Sequence, residues 1–214
     1  MTLIFKDIDD ESLYEQLIGR LHHIERAFLV LRHIKLHYST YTSKKVTKEF
    51  LTIRREYDDF FSTYEETLLW FMTVELWSRF LYAETKKGLF KLVASLESPE
   101  ISKEHLKLTE RHQEAIGYIK TQRNKYLAHA DDVEWKTFPK VWDKEYDNLI
   151  TDLKSLMTKI GGVIGSQQLP TTSTRAIAHT NALFNDLLKA NCPHLDVDAL
   201  SAQYDKDAER FISE

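Results

Sequence analysis

Apolar residues recur every three or four positions over most of this chain, the period that places them on one side of an α-helix. Leu13, Leu17, Leu21, Ile24, Phe28, Leu31 and Ile34 form such a stripe. The carboxylates of Asp9 and Asp10 suit a helix N-terminus, so a first helix is expected from there to about Tyr38. A polar break over 39–43 precedes a short amphipathic segment marked by Val46, Phe50, Ile53 and Tyr57, with Lys44, Lys45, Lys48, Arg54 and Arg55 on its other face. Residues 58–86 carry the densest aromatic run, including Phe60, Phe61, Tyr64, Trp70, Phe71, Trp77, Phe80 and Tyr82. Apolar groups occupy more than one face there, as in a helix buried on several sides or lying at a subunit interface.

Gly88 is expected to end that helix, and Leu89-Phe90-Lys91-Leu92-Val93 to begin a short one that stops before Ser98-Pro99. Ser102 is then a cap for a helix over about 103–128. Beyond the acidic Asp131-Asp132, Pro139 suits the first turn of another helix. Its core stripe is Trp142, Tyr146, Leu149, Leu153, Leu156, Ile160 and Val163, and it ends around 161–165. Residues 166–172 read as a linker, followed by helices at about 174–190 and 197–212. The fold class is therefore all-α: an antiparallel helical bundle over 1–165, with additional C-terminal helices over 166–214 as an appendage packed on the bundle or on a second subunit.

Composition agrees with long helices, since 214 residues include six glycines and four prolines. The single cysteine, Cys192, leaves no internal disulfide framework and fits a reducing compartment, so cytoplasm is expected. The first residues lack a basic region followed by a long apolar core, and charge interrupts every apolar window before a membrane span is reached, so neither a secretory signal nor a membrane partner is expected. A formal net charge of −4 gives no general attraction to nucleic acid; any RNA contact must rest on a local basic patch.

The stretch richest in candidate chemistry is Gln122-Arg123-Asn124-Lys125-Tyr126-Leu127-Ala128-His129, where a helical pattern gives way to an acidic segment. Arg123 offers a permanently charged fork that fits a phosphate, and His129 has the side chain best suited to proton transfer near neutral pH. Arg26 with His33 and Arg32 with His37 are competing pairs. Arg26 is followed by apolar Ala27, however, and Arg32 lies inside a long amphipathic run with no break near it. A purely structural role is also open to the preferred pair, Arg123 holding Asp131 and Asp132 while His129 closes the helix C-terminus, where the dipole favours an imidazolium.

Arg123-Asn124-Lys125-Tyr126-Leu127-Ala128-His129 resembles the signature of the HEPN superfamily, and the phrase Arg-Asn-Lys-x-x-Ala-His-x-Asp most resembles its branch from phage abortive-infection systems. The resemblance implies a metal-independent endoribonuclease acting as a homodimer on an RNA substrate, without cofactor, with an antitoxin protein as a candidate further partner. It assigns Arg123, Asn124 and His129 to catalysis. Lys120 and Lys125 are the nearby candidates for substrate binding, and Glu75 with Arg79, an expected intrahelical ion pair, for support of the motif from a neighbouring helix. Some HEPN toxins are silenced by nucleotide transfer to a tyrosine two residues after the histidine; Asp131 stands there in this chain. The alternative is a non-catalytic helical module that binds a nucleotide or protein partner through the same arginine and histidine.

Other chemistries lack their spacing. No Glu is followed three residues later by His as in di-iron bundles, and Ile34 stands between His33 and His37 where a zinc protease has its glutamate. Gly161-Gly162-Val163-Ile164-Gly165 lacks the lysine and hydroxyl of a phosphate loop. No metal site is expected.

Overall fold

The computed structural model describes residues 9–39, 52–53, 55–85, 87–128, 141–166, 168, 170–171, 174–197 and 199. Among them the fold is all-α, with no strand. The helices are α1 (Asp10–Ser39), α2 (Asp58–Glu75), a π-helical turn (Leu76–Leu81) continuing directly from α2, α3 (Leu89–Ser95), α4 (Pro99–Arg111), α5 (Gln113–Ala128), α6 (Val141–Ile164) and α7 (Thr174–Asn191). The basic segment over 40–51, Arg54 and, apart from 197 and 199, the last expected helix lie outside the described residues; Arg55 is exposed.

The chain divides into two compact units that do not follow its linear order. One is Met1–Glu25 with Trp70–Thr172, the other Arg26–Leu69 with Ser173–Glu214. In the first unit α4, α5 and α6 pack on one another, α3 packs on α4, and the π-helical turn packs on both α3 and α5. Leu13, Leu17 and Leu21 from α1, Phe80, Ile119 and the α6 stripe of Leu149, Leu153 and Ile160 are buried there. Each set repeats at three or four residues, so burying one side of each helix removes the apolar stripe from water while the charged side stays wet.

Local caps set the helix starts. Asp9 accepts from the Ser12 backbone N–H at 2.7 Å and caps α1 as expected. Across the first unit, Ser95 Oγ donates to Asp10 Oδ1 at 2.6 Å, and Lys154 Nζ donates to the buried Glu25 at 2.7 Å. Tyr14 is fully buried and its hydroxyl donates to the Gln168 carbonyl at 2.7 Å. Its ring lies so close to Gly161 that a Cβ there would collide with it, which explains a glycine inside α6.

The second unit has its own core of Ile34, Ile53, Phe61, Phe184, Leu188, Cys192 and Val197. Phe61 and Phe184 stack at 5.6 Å. Phe60, by contrast, is 56% exposed and stacks on exposed Tyr64 at 6.0 Å.

Two sequence expectations are corrected here. The helix expected over 103–128 is two helices, because the chain turns at His112. The first begins earlier than Ser102: Ser98 is its N-cap, accepting from the Ile101 N–H at 3.4 Å, and Pro99 fills the first turn, where its missing N–H costs nothing. The short helix does stop before Ser98-Pro99, at Ser95, and Ser98-Pro99 also starts the next one. Likewise Gly88 does not end the aromatic helix, which ends at Leu81; Gly88 is the N-cap of α3.

Candidate functional site

Helix α5 carries Lys120, Arg123, Asn124 and Lys125 in its last turns. Lys120 and Asn124 are exposed, while Arg123 is half-buried. Arg123 Nη1 donates to Asn124 Oδ1 at 3.1 Å, so the flexible guanidinium curls onto its neighbour. This leaves the Asn124 amide nitrogen as the donor end available to a phosphate oxygen or an imidazole. His129 follows the last residue of α5 and lies outside the described residues, as do Asp131 and Asp132.

The element facing this helix is the π-helical turn Leu76–Leu81. A π turn widens the helix by one residue and re-aims the side chains that follow; such turns are rare and found frequently at functional sites. Glu75 stands at its start between two arginines, with Oε2 at 3.8 Å from Arg79 Nε and 3.7 Å from Arg20 Nε. The expected ion pair of Glu75 and Arg79 is therefore formed, and Arg20 of α1 joins it. One carboxylate shared by two guanidiniums leaves positive charge beside the π turn.

Where the π turn ends, Tyr82 leaves the helix in an extended conformation. Its ring stacks on Trp77 at 5.7 Å, and its hydroxyl donates to Glu84 Oε2 at 2.5 Å. That hydrogen bond holds the phenol above its ordinary pKa, while the nearby charge of Arg123 opposes the shift. A chain reversal brings Gly88 back under the π turn, where a Cβ would sit 2.9 Å from the Arg79 carbonyl oxygen. Only a glycine allows that approach.

A second polar cluster lies near the other end of α5, ~16 Å from Arg123 along the helix axis at 1.5 Å per residue. His112 is buried at the junction of α4 and α5 and shares Asp152 Oδ2 with Arg111, at 2.9 Å and 2.7 Å. Partial burial pushes the Asp152 carboxyl up, but the bonds from His112 and Arg111 more than reverse this and hold it below the ordinary range. The three residues line a cleft of about 370 Å³ with Glu114, Glu145 and Thr151 among its walls. Sequence reasoning did not single out His112 or Asp152, since one ends a helix and the other lies on the polar side of α6, 40 residues away.

The competing arginine-histidine pairs resolve differently. Arg26 is exposed, whereas His33 is buried, only 4% exposed. Arg32 lies over the Phe28 ring at 5.8 Å. Among the described residues, no group of three or more His, Cys, Asp or Glu side chains is placed to hold a metal ion, and no helix is long and apolar enough to cross a membrane.

A family model described as AbiU2, of the HEPN type, matches residues 79–211. The match covers more than half of the chain and takes in Arg79, Arg123, Asn124 and His129. No match was found among curated proteins or among solved structures.

Proposed function

Because this chain belongs to the AbiU2 family of HEPN-type proteins from abortive-infection systems, we propose that it is a metal-independent endoribonuclease that acts as a toxin or antiphage effector. The observation that carries the reading is the bonded pair Arg123 and Asn124 at the end of α5, within the matched region and beside a π-helical turn. A guanidinium there supplies charge where a phosphate would gain it, and His129 follows in the sequence as the proton carrier.

In this mechanism the RNA provides its own nucleophile. His129 takes the proton of the 2′-hydroxyl, whose oxygen attacks the adjacent phosphorus, and the 5′-oxygen of the next nucleotide leaves with a proton from a general acid. Arg123 stabilises the charge on the pentavalent phosphorus, and Asn124 orients the histidine or a phosphate oxygen. Lys120 and Lys125 contact flanking phosphates, and the Glu75–Arg79 pair supports the motif helix. Products are a 2′,3′-cyclic phosphate and a 5′-hydroxyl.

One histidine does not serve as acid and base in the same step. A homodimer with a twofold axis near the motif helices supplies the second, and exposed Trp70, in the same compact unit as α5, is apolar surface consistent with such assembly. Sedimentation is expected to show a dimer at micromolar concentration; a monomer removes the composite site.

The test of the chemistry is cleavage of end-labelled single-stranded RNA in excess chelator by the wild type and by His129→Ala, Arg123→Ala, His33→Ala and His37→Ala. The first two are expected to lose cleavage and the last two to keep it, with DNA untouched. Activity that depends on added metal, leaves 3′-hydroxyl ends or survives His129→Ala overturns the mechanism and moves the reading to a nucleotide- or protein-binding module.

A further inference from the structure

The aromatic pair next to the motif helix has no part in the mechanism above. Tyr82 is 39% exposed, which is high for a large ring whose other face already packs on Trp77. Two contacts fix it: the Trp77 ring behind it at 5.7 Å and 26° between planes, and Glu84 accepting from its hydroxyl at 2.5 Å. The backbone is fixed as well, by the turn in which the Thr85 N–H donates to the Tyr82 carbonyl at 3.3 Å. Its aromatic surface is thus held in place before anything binds, so little conformational freedom is lost on binding.

Its surroundings define what would use that surface. The π turn that delivers Tyr82 packs on α5, the helix of Arg123, in the same compact unit. Arg123 is near enough for its charge to act on the Tyr82 phenol. A cationic fork beside an immobilised aromatic face matches one nucleotide unit, with phosphate on the fork and base on the ring. An apolar protein side chain would use the ring but leave the guanidinium without an anion.

We propose that Tyr82, backed by Trp77, is a stacking platform for the unpaired base of the nucleotide whose phosphate is held at Arg123. The residue is therefore a substrate-binding group that selects single-stranded over duplex RNA, because a base inside a helix has no free face to offer. The proposal rests on the RNA-cleavage reading for the identity of the strand. It adds a reason for the π turn: without the inserted residue, Tyr82 would leave the helix about 100° further back around its axis.

The test measures binding separately from cleavage. Full-length wild type, Tyr82→Ala, Tyr82→Leu and Tyr82→Phe are titrated against a fluorescent 2′-O-methyl decanucleotide, which has no free 2′-hydroxyl, and against copies carrying one abasic position. Alanine and leucine are expected to weaken binding about tenfold or more, and phenylalanine to stay within about twofold of wild type. The wild type is expected to lose a similar factor at one abasic position, and Tyr82→Ala to lose nothing further there. Equal binding by Tyr82→Ala, no binding by wild type, or an abasic loss that persists in Tyr82→Ala overturns the platform. Cleavage of unmodified RNA by the wild type is read alongside. Stacking without cleavage sinks the nuclease and leaves the platform; cleavage without stacking does the reverse.

Discussion

His112 Nε2 lies 2.9 Å from Asp152 Oδ2, and this contact joins the junction of α4 and α5 to the facing helix α6. The histidine is only 7% exposed, so its ring nitrogen has exchanged water for that carboxylate. Removing the acceptor with Asp152→Ala leaves a buried donor unpaired and frees Arg111, at an expected cost of about 1–3 kcal/mol. Urea unfolding should show a lower midpoint with unchanged slope. The Asp152 carboxyl is held below its ordinary range. Its stabilisation is therefore present above the unfolded pKa of about 3.9 and lost as pH falls from there through the lowered folded value. The difference between wild type and Asp152→Ala should shrink over that acidic window.

Lys154 and Glu25 form a second cross-link, at 2.7 Å, in which the carboxylate is buried and the ammonium largely so. Taking two ions out of water offsets most of their attraction, but removing one leaves the other buried and uncompensated. Lys154→Met is expected to cost about 3–5 kcal/mol, whereas the double variant Glu25→Leu with Lys154→Met should recover most of the loss. A double-mutant cycle by chemical unfolding measures this; additive losses would contradict it.

His105 stands apart from these pairs. It is buried, packs edge-on against Phe90 at 4.4 Å between ring centres, and its Nε2 finds no hydrogen-bond partner. Burial lowers its pKa. The unfolded chain therefore takes up a proton near pH 6.5 that the folded chain refuses. The stabilisation from a neutral His105 is complete above about pH 6.5 and declines as pH falls from there toward the lowered folded value. His105→Leu should flatten the stability profile between neutral and mildly acidic pH. An unchanged slope in the variant would show that another group is responsible.

Much of the local structure was legible in one dimension. The three-and-four spacing of apolar residues placed α1 and α6 nearly where they stand, because a helix buried on one side writes that burial into its own period, and the linker before it placed the start of α7. The same reasoning put Arg123 and Asn124 near the end of a helix and paired Glu75 with Arg79, both being relations between residues close in the chain. His33 shows the limit of a motif search: its spacing from an arginine invited attention, yet it is buried.

The amino-acid sequence by itself determined the all-α class, the helix faces and the residues that carry the Arg–Asn signature, because each follows from local periodicity or local chemistry. Only the tertiary structure decided the break at His112, the π turn over Leu76–Leu81, the packing of that turn on the helix of Arg123 and the assignment of 26–69 with 173–214 to one compact unit. These depend on what faces a residue from a distant part of the chain. Asp152 is 40 positions from His112, and α5 is more than 30 positions from the π turn. A helical period records that one side of a helix is buried, and carries no information about the partner that covers it.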